Sequence, residues 1–257
     1  MSNDPADYWT TLPLGRDVRL VARDPNGVAA FDKPAGILSH PNTAKDEARA
    51  LLRCAYEADE ECFVWQAADG ATRRLWLLNR LDSATSGLIL AAADAAVART
   101  IKAQFVRRQV HKIYEALVFG RPVPPAQSWR DHLAVAKRGG AIRTGAGGNL
   151  PAEARCTLLR LAPGPPALSL VRLEPRTGRS HQLRVQCAQR GLPIVGDQTY
   201  GEFRRNREFA RATGWKRLFL HSLETRFRYE LGGATFEFAA TAELPAEFQS
   251  AVDPGRR

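Results

Sequence analysis

Leu223-Glu224-Thr225-Arg226-Phe227-Arg228-Tyr229-Glu230-Leu231 is followed by Gly232-Gly233 and then by Thr235 to Thr241. Leu223, Thr225, Phe227, Tyr229 and Leu231 alternate with four charged residues, the period of a half-buried strand. The Gly-Gly pair turns the chain back, so the segment after it is an antiparallel partner. Outward from this hairpin, Ala167–Leu173, Tyr114–Phe119, Gly87–Ala93, Leu75–Leu78 and Gly27–Phe31 read as further strands. Asp94 reads as a helix N-cap, with Val97, Ile101 and Phe105 on one stripe and Arg99, Lys102, Arg107 and Arg108 off it. A second, short helix is expected over Ser180–Arg190, with Gly191 at C′. Strands predominate and the last pair is antiparallel. The expected class is mixed α/β of the α+β kind, a largely antiparallel mixed sheet with flanking helices and not a doubly wound Rossmann fold.

The first 26 residues are polar and broken by Pro5, Pro13 and Pro25, so they read as an arm. Residues 27–245 read as one catalytic-sized domain and 246–257 as a C-terminal tail. Residues 121–150 hold three prolines and five glycines and read as a loop or hairpin excursion. A fold of 257 residues buries about 70–75% of its unfolded surface and needs no staples.

The charge balance is the unusual quantity: 37 Lys+Arg against 27 Asp+Glu, formally +10. That surplus favours a polyanionic partner. An anionic membrane would call for a basic amphipathic anchor or a lipidation signal, and neither is visible. The longest apolar run, between Asp82 and Asp94, is 11 residues, too short to span a bilayer. The N-terminal residues lack the pattern of a secretory signal, and Cys54, Cys62, Cys156 and Cys187 form no framework, so a cytoplasmic protein with reduced thiols is expected; a monomer is expected as well.

There is no GxxxxGK[ST], GxSxG or HExxH, and the five histidines show no metal-ligand spacing, so no cofactor and no metal are expected. Two stretches stand out. In Leu78-Asn79-Arg80-Leu81-Asp82-Ser83-Ala84-Thr85-Ser86-Gly87 a carboxylate sits between two strands, either in a simple turn or held at the mouth of a sheet as nucleophile or base. A haloacid-dehalogenase-like site would place a second acid two positions on, where this chain has Ala84. In Pro175-Arg176-Thr177-Gly178-Arg179-Ser180-His181-Gln182-Leu183-Arg184-Val185 a strand runs through a Gly turn into a helix start, which favours anions.

Four blocks in order give the chain a resemblance to the RluA-type RNA pseudouridine synthases: Asp32-Lys33-Pro34-Ala35-Gly36-Ile37-Leu38-Ser39-His40; Arg80-Leu81-Asp82 with Thr85-Ser86-Gly87-Leu88; Lys112-Ile113-Tyr114-Glu115-Ala116-Leu117-Val118; and Thr177 to Arg184, continuing into Gly191–Gly201. Two departures stand out. Asn79 replaces the usual His before Arg-Leu-Asp, and Ser83-Ala84 replaces a basic-acidic pair. The resemblance implies a pseudouridine-synthase-like fold with a central RNA-binding cleft and a cofactor-free isomerase. It implies Asp82 as the essential carboxylate, attacking the ribose or the pyrimidine or removing a ribose proton. Arg184 would pair with Asp82, Tyr114 would stack on the uracil, and Leu183 would form an apolar wall. Arg80 would fill the space of a flipped-out nucleotide. Arg179, His181 and Lys112 are further substrate-binding candidates.

Grip on RNA is expected from two basic runs, residues 99–112 with five Lys/Arg and residues 204–217 with six Lys/Arg and one acid. Arg204, Arg205 and Arg207 are the candidate backbone contacts. The rival from another class is a non-catalytic RNA-binding or RNA-chaperone relative, and Asp82 argues against it, since a binder has no use for a carboxylate facing a polyanion. The resemblance leaves tRNA and ribosomal RNA both open as substrates. The arm is too short for an S4-like module, which takes about 50 residues or more.

Overall fold

The computed structural model describes residues 5–138, 141–162, 164 and 167–253. Residues 1–4 of the arm, 139–140 of the excursion and 254–257 of the tail therefore lie outside the described residues. The chain divides into two compact units, one formed by residues 1–109 with Phe227–Thr241, the other by Val110–Arg226 with Ala242–Arg257.

In the first unit the strands are β1 (Arg19–Arg23), β2 (Val28–Lys33), β3 (Ala55–Glu57), β4 (Cys62–Gln66), β5 (Thr72–Leu77) and β6 (Ser86–Ala92). Their order is β3-β4-β5-β6-β2-β1, and every pairing is antiparallel. All seven residues of β6 are buried, which is why its sequence after Ser86 is continuously apolar instead of alternating. Helix α1 (Pro5–Thr10) precedes these strands, and α2 (Ala95–Val106) follows β6. The Asp94 carboxylate accepts from Ala96 N (2.8 Å) and Val97 N (2.9 Å), capping α2, whose buried residues are Val97, Ala98 and Ile101.

The segment read as an arm is folded onto this unit. Gly15 N donates to Leu51 O at 2.8 Å and Arg53 N to Pro13 O at 2.7 Å. The Tyr8 hydroxyl donates to Arg74 O at 2.5 Å. A Cβ at Gly15 would come within 2.1 Å of Ala50 O, so only glycine permits the approach. Polar composition concealed this docking because it is made by backbone groups together with a few scattered apolar side chains, Trp9, Leu12 and Val18, which are buried.

The second unit contains β7 (His111–Phe119), β8 (Ala126–Arg138), β9 (Ala141–Ala146), β10 (Leu150–Leu161) and β11 (Leu168–Pro175). β12 (Leu220–Leu231) joins them by pairing with β7 over Leu220–Arg226, and the order is β12-β7-β11-β10-β8-β9. The excursion is thus a regular hairpin of β8 and β9, whose first strand also pairs with β10. β10 escaped the sequence reading because small residues occupy its inward positions. Ala152, Ala154 and Cys156 are buried, and two of the three are alanines, which favour helix over strand. Three helices follow β11: α3 (Gln182–Gln189), α4 (Phe203–Thr213) and α5 (Ala246–Val252). Phe209 of α4 and Phe248 and Val252 of α5 share a core with Leu117, Phe119, Leu168 and Leu170, so residues 246–252 of the tail are a docked helix. The opening hairpin is completed by β13 (Ala234–Thr241), which pairs with β12.

Lys33 is a charged side chain at 0% exposure in the first unit. Its ammonium donates to Pro34 O (3.0 Å), Ile37 O (2.8 Å) and Ser83 O (3.1 Å). A buried lysine is tolerated only when its charge is satisfied, and here three carbonyls accept from it. Lys33→Met keeps the stem and removes the charge, leaving those carbonyls without this donor. It is expected to lower stability by about 3 kcal/mol or more, measured by urea denaturation. A variant as stable as wild type would contradict this assignment.

Candidate active site

Asp82 lies in the eight-residue connection from β5 to β6, half-buried, with its loop fixed from several sides. Leu81 N donates to Ser39 Oγ (2.9 Å), and Ser39 Oγ donates back to Leu81 O (2.6 Å). Asp82 O accepts from Thr85 N at 3.0 Å, closing a turn. Ser83 O receives both Gly36 N (2.7 Å) and the Lys33 ammonium. The Asp32–His40 block thus braces the carboxylate-bearing loop. Asn79 has its own part in the brace, since its side-chain oxygen accepts from Leu90 N at 2.7 Å on β6. A short amide does this without a ring, which gives the departure from His a structural role. Arg80, one residue on, extends an exposed side chain.

In the second unit Tyr114 is half-buried on β7, between Leu173 of β11 and Ser222 of β12. Lys112 lies two residues earlier, on the same face of the strand. Its ammonium is close to the Gly178 turn, where an added Cβ would approach it to 3.7 Å. Burial pushes the Lys112 ammonium below the ordinary lysine range.

The turn into α3 is built from polar side chains. Gln182 Oε1 accepts from Thr177 Oγ1 (2.7 Å) and Arg179 N (3.1 Å), while Gln182 Nε2 donates to Glu153 O (3.1 Å). Arg179 Nε donates to Pro151 O at 3.3 Å. His181 sits just before the helix at φ 54°, a left-handed conformation that few side chains adopt, and its Nδ1 is 2.8 Å from the Tyr200 hydroxyl. That hydroxyl also accepts from Thr144 N (2.9 Å), and Thr144 Oγ1 donates to Ser180 O (2.8 Å), tying β9 to the turn. Leu183 is buried beside Arg184.

Arg184 is 7% exposed, and its guanidinium holds Asp197 bidentately, Nε to Oδ2 and Nη2 to Oδ1, both at 2.8 Å. The Tyr200 ring lies 5.1 Å from the guanidinium carbon. Burial alone would raise the Asp197 carboxyl. The Arg184 hydrogen bonds and charge, with the amides of Tyr200 and Thr199, outweigh it and hold the group below the usual carboxylate range. Asn206 of α4 accepts from Gly196 N (2.7 Å) and donates to Asp197 O (3.0 Å). The helix carrying Arg204, Arg205 and Arg207, all exposed, is therefore bolted to the segment that holds Arg184. Arg204 and Arg205 make loose helix-surface pairs with Glu208 (3.6 Å) and Glu202 (3.5 Å).

The structure thus brings Arg179, His181, Leu183 and Arg184 together around one helix start, with Lys112 against the same turn. Asp82 and Arg80 share the braced loop of the first unit. Sequence reasoning gave no role to Lys33, Ser39, Asp197, Tyr200 or Asn206. The first four stood inside quoted motif blocks, yet nothing in a single sequence tells a structural motif residue from a reacting one.

A family model described as RNA pseudouridylate synthase matches residues 27–189. The chain is 30% identical over 228 residues to tRNA pseudouridine synthase C of Yersinia pestis, covering 85% of this chain and 84% of that protein. It is 33% identical over 246 residues to ribosomal large subunit pseudouridine synthase C of Vibrio cholerae, covering 95% and 73%. In fold it is similar to Human RNA Pseudouridylate Synthase Domain Containing 4, with TM-score 0.64 over 91% of both chains at 21% identity.

Asp197→Asn removes the carboxylate charge that holds both prongs of a buried guanidinium, a loss expected to cost about 3–5 kcal/mol at neutral pH. The Asp197 carboxyl is held low in the folded state, so its stabilisation is complete above the ordinary carboxylate range and is lost as pH falls through the lowered value. Urea denaturation should therefore show the gap between wild type and variant closing as pH drops from about 5 towards 3. A gap independent of pH would contradict the ion-pair assignment.

Proposed function

We propose, from the premise that this chain belongs to the RNA pseudouridylate synthase family, that Asp82 is the carboxylate that reacts with the target uridine. The protein is an RNA pseudouridine synthase, an isomerase. The reaction detaches uracil from the ribose at N1, turns it and rejoins it through C5, whose proton is released. No electron is exchanged and no group is imported, so the required parts are a reacting carboxylate, a counter-charge, a stacking surface and a route for the C5 proton. The observation that carries the assignment of Asp82 is its loop, a polar connection immobilised by Lys33, Ser39 and Asn79, as reactive groups require and ordinary turns do not.

On this reading Arg184, made rigid by Asp197, supplies the counter-charge. A bidentate guanidinium fixes an orientation that a lysine could not. Tyr114 stacks on the uracil and assists removal of the C5 proton, and Leu183 bounds the ring. Turning the nucleotide out of its helix costs a few kcal/mol, and Arg80 occupies the space it leaves. Lys112, Arg179 and His181 contact the nucleotide around the α3 turn. Arg204, Arg205 and Arg207 hold the RNA backbone. The substrate is a stem-loop of tRNA or ribosomal RNA, and the enzyme acts as a cytoplasmic monomer. That location accords with four free cysteines and with the lack of a helix long and apolar enough to cross a membrane among the described residues.

Tritium release from RNA labelled at uridine C5 tests the reading. Asp82→Asn keeps the volume and removes the reacting charge. It is expected to abolish release while leaving RNA affinity within a few fold, and near-wild-type turnover would refute the assignment. A non-catalytic binder would release no tritium even as wild type.

Neutralising Arg204, Arg205 and Arg207 together tests the RNA-backbone contact. The salt slope of binding is expected to flatten by roughly 0.7–0.9 per lost phosphate contact, with single-turnover rate at saturating enzyme unchanged. An unaltered slope would assign the helix to solvent and place the footprint elsewhere.

A further inference from the structure

Glu61 ends an acidic turn, Glu57-Ala58-Asp59-Glu60-Glu61, in a chain whose net charge is +10. It lies between β3 and β4 in the left-handed conformation, φ 51°, which is unfavourable for a residue with a Cβ. Its carbonyl accepts from Leu77 N at 2.9 Å, at the end of β5, so its backbone is pinned to the strand that leads into the Asp82 loop. Its two carboxylate oxygens serve different cations. Oε2 accepts from the Lys102 ammonium of α2 at 2.6 Å, and Oε1 lies 3.7 Å from Nη1 of Arg80. The Lys102 hydrogen bond is the main cause holding the Glu61 carboxyl below its usual range, with the Lys102, Arg80 and His40 charges adding to it.

We propose that Glu61, anchored by Lys102, is a positioning residue for Arg80, aiming its guanidinium before RNA arrives. The proposal rests on the reading of Arg80 as the residue that replaces the flipped nucleotide. The two contacts differ in kind. Lys102–Glu61 is a hydrogen-bonded ion pair that fixes the carboxylate. Glu61–Arg80 is a charge contact too long for a hydrogen bond, so it orients the guanidinium without occupying its donors. A free arginine side chain samples many rotamers, and entering a base stack requires one of them. Restricting that search in the free enzyme shortens the step at which the nucleotide is exchanged for the arginine. The carboxylate itself repels phosphate, so its presence favours orientation at some expense of affinity. An exposed pair of this kind is worth up to about fivefold in an equilibrium.

The test is a double-mutant cycle of Glu61→Gln and Arg80→Ala. It is read by single-turnover tritium release at saturating enzyme from bulk tRNA and bulk ribosomal RNA, labelled at uridine C5 and prepared from cells lacking this enzyme. Glu61→Gln is expected to slow release about three- to fivefold with RNA binding unchanged or tighter. It should have no further effect in the Arg80→Ala background, and Glu61→Asp should restore part of the rate. Lys102→Met, which removes the anchor and leaves Glu61 itself, should slow release only when Arg80 is present, and it serves if Glu61→Gln melts early. A Glu61→Gln rate equal to wild type, or a loss that persists in full without Arg80, would overturn the proposal while leaving the role of Arg80 standing. An Arg80→Ala rate equal to wild type would overturn both.

Discussion

The buried ammonium of Lys33 is the contact on which the candidate site most depends. A lysine at 0% exposure is stable only if its charge is met, and it is met by the carbonyls of Pro34, Ile37 and Ser83. Two of these lie in its own turn and the third lies 50 residues on, beside Asp82. The desolvation of one charge therefore forces two distant segments together, and Ser39 and Gly36 add their hydrogen bonds to the same loop. The Asp-Lys-Pro-Ala-Gly block is a support for the Asp82 loop.

The second unit solves the complementary problem. An arginine that is to present its charge in one orientation must be held by something that does not yield. Asp197 is 1% exposed and takes both prongs of the Arg184 fork, and it is in turn fixed by backbone amides and by Asn206 of α4. Gly196 shows how tightly this segment is packed, since a Cβ there would come within 1.8 Å of Arg217 O. Rigid supports behind both Asp82 and Arg184 are what their proposed roles, reacting carboxylate and counter-charge, require.

Much of the architecture was legible because the informative residues obey simple periods. The Leu223–Leu231 alternation, the apolar run of β6 and the Asp94 cap each state their element in local sequence. Elements whose signal is weak locally were missed or misread. β10 buries alanines, so its alternation carries little hydrophobic contrast. Phe203–Thr213 form α4, where four exposed arginines obscure an inward face of Asn206 and Phe209. The first 26 residues read as an arm and 246–257 as a tail because their docking rests on backbone groups and a few apolar side chains, Trp9 in the arm and Phe248 and Val252 in the tail, that local sequence does not flag. At the site, residue types and motif order pointed to Asp82, Arg184 and Tyr114. The residues that hold them in place, Lys33 and Asp197 above all, could be given roles only from three-dimensional contacts. A lysine next to a proline looks like an ordinary surface turn until its three acceptors are seen.

The central claim is that this chain converts uridine to pseudouridine in RNA. Mapping pseudouridine across total tRNA and ribosomal RNA tests it most directly, comparing cells that carry the gene with cells from which it is deleted. The account predicts that one or a few discrete positions lose the modification on deletion and regain it when the wild-type gene is returned. An unchanged map, with purified protein releasing no tritium from the same RNA labelled at uridine C5, would contradict it.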